Sequence, residues 1–97
     1  MVEPSKDRPY GTLAEYGGWW GEVEGCSGVT GDFGRLRFYI LEGEASVGVL
    51  GRQRGTDIWV REDRVGDRFV VEHEMLHVLV GDREHRGAVW ADCGLAP

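Results

Sequence analysis

The chain has no surplus of basic residues. Its formal net charge is −6, which argues against a nucleic-acid partner, because phosphate binding draws on an excess of Lys and Arg. The same balance disfavours an anionic membrane surface. Arg52 to Arg54 forms a local basic run, but acidic neighbours dilute it. No apolar run approaches the length of a transmembrane helix. The opening MVEPSKDRPYG lacks the apolar core of a signal peptide, so the protein is cytosolic or a signal preceded this numbering. Internal repeats and low-complexity tracts are missing too, as is any close-paired CxxC. The oligomeric state is left open.

Cysteine is scarce: Cys26 and Cys93 are the only two. A bridge between them would close a long loop, worth roughly 4 kcal/mol in the chain-entropy model. The competing reading is two unrelated buried thiols. A bridge would favour a secreted or periplasmic location, and free thiols a cytoplasmic one.

What is present is enough for one domain over residues 1–97, with residues 1–11 as a loose lead-in broken by Pro4, Pro9 and Gly11. A chain this short buries only about two-thirds of its unfolded surface, so a staple matters. Thr12 with Glu15 has capping-box spacing. From Leu13 onward, Leu13, Tyr16, Trp20 and Val23 fall on one helical stripe, which the Gly17–Gly18 pair weakens. Of the adjacent Trp19 and Trp20, one is expected in the core and the other at an edge.

Arg35–Leu41 alternates as a half-buried strand. Ser46–Gln53 is a weaker strand, and Asp57–Glu62 a third, most simply an antiparallel meander. Asp67 caps a helix that Gly81 ends. That helix is apolar nearly all round, hence buried. No helix or strand pattern follows Gly81, only a loop-like tail with an apolar knot at Ala88 to Trp90. The expected fold is therefore α+β: a backing helix, a small three-stranded and mostly antiparallel sheet, a buried helix and an irregular tail.

The buried helix carries the chemistry. His73 and His77 lie four apart, so a helix turns both imidazoles to one side. Glu74 stands one step round, near enough to reach a metal-bound water without ligating. This is the mechanical content of H-E-x-x-H. Glu72, His73, Glu74 and His77 are the only polar residues in the helix centre, and burying them side by side is costly unless something pairs them. The bland alternative is a buried helix with satisfied histidines.

A catalytic zinc needs a third protein ligand. His85, just past the Gly81 turn, is the best placed; its competitors are Asp82, Glu84, Asp92 and, if reduced, Cys93. Glu22, Glu24 or Asp92 could orient an imidazole. Tyr16, Tyr39 and Arg86 could stabilise an oxyanion, though no motif selects one.

The stretch HEMLHVLVGDREH resembles the zinc-binding stretch of zincin metallopeptidases, and its glycine turn followed by histidine is similar to the metzincin pattern H-E-x-x-H-x-x-G-x-x-H. Gly81 comes one residue later than in that pattern, and one further residue precedes His85. The order of elements is similar to a minimal zincin domain. Short bacterial HExxH proteins with a WWxEVExCSG helix and a late cysteine look alike as well. The resemblance implies a zinc peptidase: Zn²⁺ on His73, His77 and His85, Glu74 as general base, and a peptide or protein substrate laid antiparallel along an edge strand. Thr56–Glu62, or the weaker strand before it, is the expected edge. The alternative is a structural zinc or protein-interaction module, its metal closed by a fourth ligand such as Asp82 or Cys93. A bridge from Cys26 to Cys93 would also hold the tail that carries His85.

Overall fold

Tyr16, Trp20 and Val23 recur at spacings of four and three, and all three are buried along one side of helix α1, Tyr16–Ser27. The computed structural model describes residues 2–97. Trp20 is core, while Trp19 is half-buried against Tyr16. Gly17 and Gly18 are harmless because they occupy the first turn, where backbone N–H groups have no intrahelical acceptor anyway. The expected capping box does not form. Leu13 to Tyr16 is a turn, closed by the Tyr16 N–H on the Leu13 carbonyl, and the Glu15 side chain caps nothing.

Strand β1 is Arg37–Leu41, β2 is Gly51–Arg54 and β3 is Asp57–Arg61. The sheet order is β1-β3-β2, with β3 parallel to β1 and antiparallel to β2. The sheet is thus mixed rather than a meander, and β3 is its centre rather than its edge. The physical reason lies in β3 itself. Ile58, Trp59 and Val60 are 0%, 2% and 0% exposed, so consecutive side chains are buried on both faces, as only a central strand allows. A two-residue turn at Gly55 and Thr56, with Gly55 left-handed (φ 59°), folds β2 back as the polar edge. The expected start of β2 at Ser46 fails. Gly43–Ser46 is a 3-10 turn, Gly48 is left-handed, and Val47 is 77% exposed.

Helix α2, Arg68–Val80, packs against α1 and across β2 and β3. Val71, Met75 and Leu76 are fully buried with Tyr16, Phe38, Ile58 and Val60 in the main core. Leu41, Ala45 and Trp59 form a second, smaller cluster.

Both ends of the chain are better held than the sequence suggests. Pro9 bridges antiparallel to Tyr39, with the Tyr10 N–H on the Phe38 carbonyl (3.0 Å) and the Ile40 N–H on the Arg8 carbonyl (2.8 Å). The lead-in therefore covers the β1 edge and is not loose. The tail contains a short helix α3, Val89–Asp92, so it is not wholly irregular. A disulfide joins Cys26, in the last turn of α1, to Cys93, just after α3, closing a span of 67 residues. Among the described residues no helix is long and apolar enough to cross a membrane.

Candidate metal centre

Helix α2 is set at both ends. The Asp67 carboxylate accepts from the Val70 N–H at its start, and Gly81, left-handed at φ 68°, ends it with its N–H on the His77 carbonyl. Within it, His73 and His77 project to the same side, ring centroids 5.0 Å apart. Gly81 then reverses the chain. The Asp82 side chain accepts from the Glu84 and Arg86 N–H groups at 2.9 and 3.1 Å, coiling residues 82–86 into a tight loop. That coil absorbs the extra residues of the spacing and delivers His85 to the other two imidazoles.

The three Nε2 atoms converge. His85 Nε2 lies 2.9 Å from that of His73 and 3.2 Å from that of His77. The opposite nitrogens set the tautomers. His73 Nδ1 faces the Leu95 carbonyl at 2.9 Å, and His77 Nδ1 faces the Asp82 carbonyl. A carbonyl oxygen only accepts, so each Nδ1 carries its hydrogen and each Nε2 presents a lone pair to the centre. His85 can donate to one of these at most. At least one pair of lone pairs is left face to face, a repulsive arrangement that a cation relieves. Tetrahedral zinc with nitrogens at about 2.0–2.1 Å separates its ligands by about 3.3 Å. The observed spacing is close to that, so the three histidines can hold a metal ion.

Burial keeps the His73 and His77 imidazoles neutral, as metal ligation requires. It depresses His73 to about 4, against the Leu95 hydrogen bond, and it lowers His77 likewise. Glu74 is buried too, and desolvation lifts it to about 8 although the Arg52 charge pulls the other way. Its carboxyl packs under β2. A Cβ on Gly51 would come within 3.1 Å of Glu74 Cγ and Oε2 and 3.2 Å of Val70, so any larger residue would push these side chains back by a few tenths of an ångström. Glu72 turns away towards α1. There Arg68 holds it at 3.3 Å and also pairs with Glu22 at 2.6 Å; desolvation, then Glu22, lifts Glu72 to about 7.

None of the competing ligands joins the three histidines. Cys93 is in the disulfide, Asp82 holds its own loop, Glu84 pairs with Arg86, and Asp92 is exposed on α3. Neither Glu22 nor Glu24 orients an imidazole; Glu24 accepts from the Gly31 N–H at 3.0 Å. Backbone carbonyls do that work instead. Tyr16 is tied to Val65 and Tyr10, and Tyr39 stacks on Trp59.

Sequence reasoning missed Trp90. Its ring centroid lies 4.9, 4.6 and 4.7 Å from those of His73, His77 and His85, and at 1% exposure it forms the floor of the cluster. Its Nε1 is buried without a hydrogen-bond partner among the described residues. The only signal was its place in the apolar knot of the tail. Leu95, whose carbonyl orients His73, gave none.

An open cleft of about 390 Å³ lies over the cluster, bounded by β2, Trp59, the three histidines, Glu74 and Arg83. No family model matches the chain, and no curated protein or solved structure is significantly similar to it.

Proposed function

We propose that the protein is a zinc-dependent peptidase, with His73, His77 and His85 as ligands and Glu74 as general base. The observation that carries this reading is the convergence of three imidazole Nε2 atoms beside a buried carboxyl, at the floor of an open cleft. A bound zinc ion would supply Lewis-acid chemistry, lowering the pKa of a water to about 7 and polarising a carbonyl.

The chain's own residues do the rest. The Leu95 and Asp82 carbonyls hold two ligands in one tautomer and one orientation, which tunes affinity as such partners do in metal sites. Burial favours the protonated form of Glu74, and a cation on the neighbouring histidines would favour its carboxylate instead; that carboxylate takes the proton of the attacking water and returns it to the leaving amine, so no covalent intermediate forms. The unpaired edge of β2 borders the cleft and offers backbone N–H and C=O groups to an extended peptide. A closed structural zinc would need a fourth protein ligand. Asp82 and Cys93, the expected candidates, are committed elsewhere, which favours the open site. The disulfide suits an oxidising compartment, secreted or periplasmic.

The test is metal analysis of the purified chain together with Glu74→Gln. One zinc per chain is expected in both proteins, with peptide hydrolysis in the wild type only. Hydrolysis at wild-type rate in the variant would remove Glu74 from the mechanism.

A further inference from the structure

The charge of the cleft is opposite to that of the protein. The chain has 17 acidic and 11 basic residues. Yet the cleft over the histidines is lined by Arg52, Arg54 and Arg83, with Glu74 as its single carboxylate. Glu74 is at the floor and assigned to proton transfer. The three cations stand on the walls, two on the β2 edge and one on the loop after α2.

Beside the cleft lies a second hollow of about 380 Å³, between the β2–β3 turn and the end of α2. Arg54 and Arg83 line both spaces. The hollow's other walls come from Gln53, Gly55, Thr56, Val78 and Gly81, so its lining has two guanidinium groups and no carboxylate of its own. Such a hollow next to a backbone-binding edge is placed to take a substrate side chain. Its chemistry suits a carboxylate, which guanidinium donors bind by charge-assisted hydrogen bonds.

One carboxylate already sits on this wall. The chain's own Glu3 pairs with Arg54 at 2.6 Å, and the preceding Val2 carbonyl accepts from Arg52 at 3.0 Å. A short acidic segment thus lies along β2 side chains, with Pro4 at the cleft margin. Arg83 has no ion-pair partner among the described residues and is exposed at the mouth.

We infer that the cleft selects extended peptides carrying acidic side chains, and that Arg52, Arg54 and Arg83 determine this specificity. The inference rests on the peptidase reading and names its substrate class. Exposed charge pairs each change affinity by about two- to fivefold. Three acting together give about tenfold or more.

The test is binding of labelled, end-capped heptapeptides that alternate Ala with Glu, Gln or Lys. The protein is the zinc-loaded full chain carrying Glu74→Gln, so the probe is not consumed, and anisotropy is the readout. The Glu probe should bind about tenfold more tightly than the Gln probe, and the Lys probe most weakly. Added salt should narrow the gap. Arg83→Glu and Arg54→Glu, both at exposed positions, should each abolish or reverse the preference while leaving the far-ultraviolet circular dichroism unchanged. Equal binding of the Glu and Lys probes overturns the inference, as does an unchanged preference in both folded variants. Failure of the two readings is distinguishable. Cleavage of neutral peptides with no charge preference sinks only the specificity. Arginine-dependent binding of the Glu probe by a chain that hydrolyses nothing sinks only the peptidase.

Discussion

The two ends of the chain both lie beside the cleft, and they are held by different physics. The N-terminal segment is pinned by backbone pairing at Pro9, by Trp59 Nε1 donating to the Ser5 carbonyl at 2.8 Å, and by exposed ion pairs such as Arg8–Glu42. The C-terminal segment is pinned by a disulfide, a buried tryptophan and a buried leucine. Exposed pairs are individually weak and screened by salt. A covalent link and apolar burial are neither. The end that carries the ligand His85, the floor Trp90 and the orienting Leu95 carbonyl is therefore the strongly fastened one. The end that only borders the cleft is fastened by contacts that can exchange with water.

The comparison breaks if the C-terminal fastenings prove dispensable. Trp90→Ala removes the floor shared by three imidazoles and should cost about 3–5 kcal/mol in denaturant unfolding, with zinc affinity falling as well. Reduction, or Cys26→Ser with Cys93→Ser, should cost at most about 4 kcal/mol of stability. It should also weaken zinc binding by about ten- to a hundredfold, because Leu95, two residues beyond Cys93, orients His73. Competition with a chromogenic chelator reads this directly, and unchanged affinity after full reduction would show that the disulfide does not position the ligand.

At the other end the effects should be smaller. Trp59→Phe keeps an aromatic ring but loses the bond to Ser5 and part of the buried indole volume, and about 1–3 kcal/mol is expected, with zinc affinity unaltered. A drop in affinity there would erase the contrast. The smallest effect concerns alkaline pH. Burial raises the Tyr10 hydroxyl above its ordinary value, and its bond to Tyr16 at 2.9 Å adds to that; burial likewise raises Tyr16. A folded pKa above the unfolded one, near 10, means stability complete below that pH and lost as pH rises beyond it. Tyr10→Phe should flatten this loss, measured as the denaturation midpoint on either side of pH about 10.

Local pattern was legible where one residue type repeats on one face. The stripe of Tyr16, Trp20 and Val23 marked α1, and the alternation of Leu36, Phe38 and Ile40 marked β1. Asp67 and Gly81 delimited α2. Legibility failed where a long-range partner decides. Thr56–Glu62 is expected at an edge yet lies at the centre, because which strands flank Ile58, Trp59 and Val60 depends on the path of residues 42–50. The lead-in looked loose because its partner, β1, is distant in sequence.

The same division runs through the site. Sequence alone determined that His73, Glu74 and His77 share a helix turn, because a spacing of four is a property of the helix itself. It also marked these groups as costly to bury unpaired. Only the tertiary structure decided that His85 reaches them across a spacing longer than the metzincin-like pattern. That outcome depends on a loop held by Asp82, a tail held by Cys93 and a tryptophan beneath all three rings. Convergence of groups from separate segments is set by packing and cross-linking, and no local period encodes it.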